Sequence, residues 1–331
     1  MVTDDIYAQL LLAVAAREGP ELPRDVRQIP ERLTDPDSRT AWLLSQLYRH
    51  HPDTDLGLRY GHHLHPAALC DVARALCSAP TLGQTMGLVA QLAFARNQAF
   101  SLVQVESDTQ VHVFMAFPHL PPVASGVQRF CIEAAFSFAV HTLLYSLGEL
   151  PDGFTIRLPF SPPPYHTHYV SAWHTTPVFH SPVAALSFHS QALEWPLGTT
   201  DEALFAVSVE RARQRWRPSL RQMRVSYRAA EAMLRHHPYL FQQDALASHL
   251  NVSTRTLQKQ LSQEQDSFQA LRHRVRRVLH DIYTGALGWS LADASEKLGF
   301  ESLSGYRRFA RTLNTAAAPG GPVRSAGVST S

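Results

Sequence analysis

Apolar residues return at every third or fourth position through much of residues 4–95, as in Ala41 to Tyr48 and again from Leu69 to Leu76. That spacing predicts amphipathic helices. Pro80 closes one of them and Thr81 is placed to cap the next. From residue 100 the period drops to two. Val103 and Val105, then Val111, Val113, Met115 and Phe117, alternate with polar or small residues on either side of Ser107-Asp108, the pattern of a β-hairpin. A helix over about 126–147 follows, stopped by Gly148 and Pro151. Alternation at Phe154, Ile156, Leu158 and Phe160 predicts a strand ended by Pro162-Pro163-Pro164, and a last strand is expected at 185–189. Gly198 and Thr199 break the pattern before a charged helix that runs through Glu210, Arg211, Arg213 and Arg215. From Ala316 the chain carries Ala, Gly, Pro and Ser without periodicity, as frayed termini do.

The last third holds a different pattern, twice. Residues 245–261 read as helix, tight turn, helix. Ala247 and Leu250 give the first helix its apolar face, Asn251 suits a left-handed turn, and Ser253 is a good N-cap. Val252 and Leu257 stand where a hydrophobic staple would, and Leu257 and Leu261 are one turn apart on the core side. Ser253, Thr254, Arg255, Gln258 and Lys259 are left on the outer side, with donors suited to phosphates and base edges in a major groove. A long amphipathic helix follows through Phe268, Leu271, Val275, Val278, Leu279 and Ile282. Its Arg272, Arg274, Arg276 and Arg277 are expected to touch DNA backbone or acidic residues of the other domain. The layout then repeats: Ser290 to Asp293 forms a short capping box, Gly299 supplies the turn and Ser302 caps a second candidate recognition helix. That helix exposes Ser304, Arg307, Arg308 and Arg311.

Charge sharpens this division. Residues 1–214 carry 13 Arg against 20 Asp and Glu, a balance of −7, while residues 215–331 carry 15 Arg and 2 Lys against 8 acidic residues, a balance of +9. A polyanion suits the second part and not the first. At 331 residues with 45% apolar content the chain is long enough for two globular domains. Cys70, Cys77 and Cys131, an odd number without CxxC spacing, argue against a disulfide framework and a zinc finger and suit a reducing cytoplasm. The apolar run Ile6 to Ala16 follows Asp4 and Asp5 without Lys or Arg, the wrong charge for a signal peptide, and reads as a helix capped by Thr3 or Asp4. No apolar stretch approaches the ~20 residues of a membrane span. The histidines of His62-His63-His65 and His166-His168 lack metal-ligand spacing and read as solvated or hydrogen-bonding groups, so neither metal nor cofactor is expected. GxSxG, P-loop and dinucleotide fingerprints are absent, and Cys131 lies in an apolar helix rather than a reactive setting, so the chain is not read as an enzyme.

Asp244 to Arg324 resembles the DNA-binding domain of the AraC/XylS family of bacterial transcription regulators. The matching positions are Ala247, Leu250, Ser253, Leu257, Leu261, Ser267-Phe268, Arg276, Leu298-Gly299-Phe300, Ser304, Tyr306 and Arg308. The resemblance implies two helix-turn-helix units joined by a long helix, with Arg255 and Gln258 in the first recognition helix and Ser304 and Arg307 in the second. Upstream, Asp55 to Gly61, Ser78 to Gly83, Phe160 to Pro164, Pro177-Val178-Phe179 and Trp195-Pro196-Leu197 resemble the arabinose-binding-type N-terminal domain of one AraC subgroup. This implies an α+β sensor domain ahead of an all-α C-terminal domain, and the domain's name does not identify a sugar ligand. The expected organisation is an effector-sensing and dimerisation domain at 1–198, a linker helix at 199–220, the DNA-binding domain at 221–324 and a disordered tail at 325–331. The partners implied are double-stranded DNA, a small-molecule effector, a second copy of the chain and RNA polymerase. The chain departs from the family at His280 and Ser295, where Ala is usual, at Ala310, where Phe is usual, and at Leu313, Thr315 and Ala318, which replace a Trp, a Gly and a Pro. These departures predict a poorly packed last helix. They leave a decayed regulator, folded but impaired in DNA binding, as the alternative to a working one.

Overall fold

The computed structural model describes residues 5–18, 36–64, 71–96, 100–119 and 126–316. Five helices come first: α1 (Asp5–Glu18), α2 (Pro36–His50), α3 (Leu56–His63), α4 (Asp71–Ser78) and α5 (Leu82–Arg96). The hairpin β1 (Ser101–Glu106) and β2 (Gln110–Ala116) leads to α6 (Gly126–Leu147), β3 (Thr155–Arg157), α7 (His168–Trp173) and β4 (Ala184–His189). The remainder is helical: α8 (Glu202–Gln222), α9 (Val225–Arg235), α10 (Gln243–His249), α11 (Thr254–Gln263), α12 (Phe268–His280), α13 (Leu291–Lys297) and α14 (Leu303–Ala316). The described residues are mostly helical with one small antiparallel sheet, an α+β arrangement followed by an all-α one. Thr3, Asp4, His65, Cys70 and the tail from residue 317 lie outside the described residues.

The sheet runs in the order β1-β2-β4-β3, with every neighbour antiparallel. Strand alternation gives it two faces with buried apolar side chains. Val111, Val113, Met115, Ala184, Leu186 and Phe188 point into a core shared with α1, α2, α3, α6 and α7. Val103, Phe114, Ala116 and Ala185 point the other way, into the core of the C-terminal helices. The strand expected at 154–160 shortens to β3, because Pro159 has no N–H to donate. Beyond Arg157 the chain bonds to Val178 instead: Leu158 N–H donates to the Val178 carbonyl at 2.8 Å.

At the centre of the N-terminal half lies α6. It is 22 residues long and apolar enough to cross a membrane on length and composition, which the sequence reading missed, but most of it is buried inside the protein. Helix α3 lies against it through Gly57 and Gly61, one turn apart. A Cβ on Gly61 would sit 2.5 Å from the Ala134 carbonyl, and one on Gly57 would sit 2.7 Å from the Glu133 Cβ. The Asp55 to Gly61 motif is thus a close helix crossing written in small residues. Glu133 is fully buried at this crossing. Tyr165 and Tyr169 each donate a hydroxyl to its Oε1 at 2.6 Å, while Oε2 is buried without a partner. Burial pushes its carboxyl up to about 7, against the two tyrosine hydrogen bonds and the Arg129 charge, which pull it down. The Arg129 guanidinium lies 5.6 Å from the Tyr48 ring centre and 5.8 Å from that of Tyr165.

Helix α8 is more than a connector. It packs along α4, with Ala212 buried against Val72, Ala75 and Leu76. Cys77 and Cys131 are buried free thiols, and burial holds the Cys131 thiol up at about 12, which makes it unreactive.

Candidate nucleic-acid interface

Helix α10 buries Leu246 and Ala247, and the chain turns through Asn251 at φ 57°. Ser253 has extended backbone, and its Oγ accepts the Thr256 N–H at 3.1 Å, closing the start of α11. Leu257 and Leu261 are fully buried, which fixes the roll of α11 about its axis. Ser253, Thr254, Arg255, Gln258 and Lys259 are consequently all exposed.

The second helix pair repeats the construction. Ser290 accepts the Asp293 N–H at 3.1 Å and opens α13, Gly299 turns at φ 65°, and Ser302 accepts the Gly305 N–H at 3.2 Å to open α14. Gly299 is required twice over: its φ is positive, and a Cβ there would sit 2.7 Å from the Pro238 Cβ. Ser302, Ser304, Arg307, Arg308 and Arg311 are exposed, whereas Tyr306 and Leu313 are buried. Among its described side chains, which end at Leu313, this last helix is packed rather than loose; Thr315 and Ala318 fall outside that description. His280, one of the departures, bonds the Tyr306 hydroxyl at 2.7 Å and meets the Phe309 ring edge-on, so it anchors α14 rather than crowding it. Leu313 is buried as well.

Three arginines of α12 make contacts within the chain. Ser267 caps this helix by accepting the Ala270 N–H at 3.2 Å. The Arg276 guanidinium lies 4.9 Å from the Phe241 ring centre and 4.2 Å from that of Phe300, and donates to the Gly299 carbonyl at 2.9 Å. It therefore bridges the two helix pairs. Burial and the neighbouring Arg272 hold its pKa down at about 10, so it remains a cation at neutral pH. Arg272 donates to the Phe241 carbonyl at 3.2 Å. Arg274 pairs with Asp266 and donates to the Pro118 carbonyl at 3.0 Å, a bond to the sensor half made through its backbone and not through an acidic side chain. Sequence reasoning missed these roles because an arginine's partner ring or carbonyl lies far away in the chain.

The histidines singled out as a metal alternative are engaged individually. His62 stacks on His141 at 5.4 Å, His63 lies 2.7 Å from Glu18, His166 Nδ1 lies 3.1 Å from the Pro163 carbonyl, and His168 lies 2.8 Å from Asp55.

The arrangement offers two capped helices, each rolled so that hydroxyl, amide and cationic groups face solvent, on the part of the chain that carries the positive balance. Hydroxyl and guanidinium donors in that setting can bond phosphates and base edges.

Residues 20–197, more than half of the 331-residue chain, match the family described as the arabinose-binding domain of AraC transcription regulator, N-term. No curated protein matches the chain. Among solved structures, the transcriptional regulator CdpR from Pseudomonas aeruginosa matches 93% of this chain and 95% of its own, at 20% identity and a TM-score of 0.45.

Proposed function

This chain belongs to the AraC transcription regulators that carry an arabinose-binding-type N-terminal domain, and from that premise we propose that it binds DNA in a sequence-specific way through its C-terminal part, under the control of a small effector. It is a transcriptional regulator and not an enzyme. In the proposed division, residues 1–198 sense the effector and dimerise, 199–220 link, and 221–324 form a DNA-binding domain of two helix-turn-helix units. RNA polymerase is the partner that a regulator bound beside a promoter would meet, and the cytoplasm is its place of work. The observation that carries the reading is the roll of α11: Leu257 and Leu261 are buried, so Arg255, Gln258 and Lys259 face outward together.

Arg255 and Gln258 are assigned to base edges, and Ser253, Thr254 and Lys259 to the sugar-phosphate backbone. On α14, Ser304 and Arg307 take base edges, with Ser302, Arg308 and Arg311 on phosphates. Binding weakens with salt as phosphate counterions are released. Arg255→Ala costs about 1–3 kcal/mol of affinity and relaxes sequence preference at one position if the side chain reads a base. Anisotropy titrations on matched and mismatched duplexes distinguish the roles. A loss that is uniform across sequences moves Arg255 to the phosphates, and an unchanged affinity removes it from the interface.

A further inference from the structure

The sheet that closes the sensor core also carries a second apolar face, and that face is covered by the C-terminal helices of the same chain. Val103, Phe114 and Ala185 are cross-strand neighbours on β1, β2 and β4, and all three are buried in the C-terminal core together with Val225, Ala229 and Met233 of α9. Three polar or close contacts ring this dry centre. Arg274 of α12 donates to the Pro118 carbonyl at 3.0 Å. The rings of His119 and Tyr227 meet edge to face at 4.1 Å. Gly285, in the π-helical turn after α12, lies so close to Pro182 that an added Cβ would be 2.9 Å from its Cβ and Cγ. None of the exposed residues of α11 or α14 named above takes part in these contacts, so the docked state leaves both helices open to solvent.

We propose that this outer sheet face is the regulatory coupling surface of the protein: it docks the DNA-binding part on the sensor sheet, so that ligand binding at either end is felt at the other. The physical basis is the strand parity. Residues 111, 113 and 115 of β2 pack in the sensor core, while 114 and 116 pack in the C-terminal core, so a shift of β2 that repacks one core must repack the other. Coupling of this kind is reciprocal, so DNA can stand in for the unidentified effector as the probing ligand. The inference rests on the proposed DNA binding, and its test separates the two.

The experiment is scanning calorimetry of the full chain, with and without a random-sequence duplex at low ionic strength. It compares the wild type with two variants that act from opposite sides of the interface. Ala185→Glu places a carboxylate on the sheet face, where it is tolerated only if that face is released to water. Gly285→Val drives a side chain into Pro182 from the C-terminal side. The wild type is expected to melt in one transition that DNA shifts as a whole. Both variants are expected to melt in two transitions, only one of which DNA shifts. A wild type with two independent transitions, or variants that keep a single DNA-shifted transition, overturns the proposal. A wild type that melts in one step and ignores DNA, beside variants that split, leaves the docking standing and sinks the DNA-binding reading.

Discussion

Arg276 is the residue on which the geometry of the two C-terminal helix pairs turns, and Arg276→Met tests it by removing the guanidinium while keeping an unbranched stem. The substitution removes one charge-assisted hydrogen bond, to the Gly299 carbonyl, which is worth roughly 1.5–3 kcal/mol. It also removes two cation–π contacts, with Phe241 and Phe300, worth about 0.5–1 kcal/mol each at a half-buried site. Two effects work the other way. The buried charge is disfavoured, as the depressed pKa shows, and after screening by water at this half-open site its removal returns about 1 kcal/mol. A methionine sulfur between two phenyl rings recovers roughly another 0.5–1 kcal/mol. The net expectation is a loss of about 0.5–3.5 kcal/mol in urea unfolding, centred near 2. If the same energy holds the two pairs in register, affinity for a duplex spanning two grooves falls about 30-fold at that centre, while affinity for a single half-site is unchanged. Arg276→Lys does nearly as badly, because an ammonium cannot lie flat between two rings while bonding a carbonyl. Stability within a few tenths of a kcal/mol of wild type, together with full affinity for the two-groove duplex, would refute the clamp.

Two further predictions concern the sensor half. Gly61→Ala puts a methyl 2.5 Å from a backbone oxygen that cannot swing away, and the expected cost is about 1–3 kcal/mol by urea unfolding, against the usual gain of alanine in a helix. Glu133 carries a carboxyl raised from the ordinary 4.5 to about 7, so its contribution to stability is fully present below pH 4.5 and is lost as pH rises through 7; the full swing is roughly 3 kcal/mol. Glu133→Gln keeps an acceptor for both tyrosines and is expected to be the more stable protein above pH 7, with a flatter melting profile between pH 5 and 8. His119, held down at about 4 by burial and by Arg274, titrates in the opposite sense, so the difference between variant and wild type is the quantity to read. A glutamine variant that is less stable at pH 8 contradicts the assignment.

Most of the secondary structure was legible where its cause is local. Period-two and period-four patterns place the hairpin and α12, Gly148 and Pro151 mark the end of α6, and the serine caps at 253, 290 and 302 each bond the N–H three residues on. Helix α9 was illegible because its start is secured from elsewhere: Glu264 accepts the Val225 and Ser226 N–H groups at 2.6 and 2.9 Å, across nearly forty residues. The same distance in sequence hid the second face of the sheet. Val103 reads as an ordinary hairpin residue, Phe114 falls between the alternating positions, and nothing nearby in the chain says that this face meets α9. The outward residues of α11 and α14 were readable because burial of their leucines and Tyr306 fixes them by periodicity alone. His280 misled for a related reason: standing where the family usually has Ala, it reads as a departure, and only the fold brings the Tyr306 hydroxyl to it.

The central claim is that α11 and α14 present a surface that reads DNA. The most direct test is fluorescence anisotropy of the full-length protein on DNA from its own upstream region, against a scrambled duplex, across a salt series. The account predicts tighter binding to the upstream duplex that survives near-physiological salt, with a log–log salt slope that Arg255→Ala lowers if that arginine also neutralises a phosphate. Equal, weak binding to both duplexes that vanishes as salt rises would contradict it.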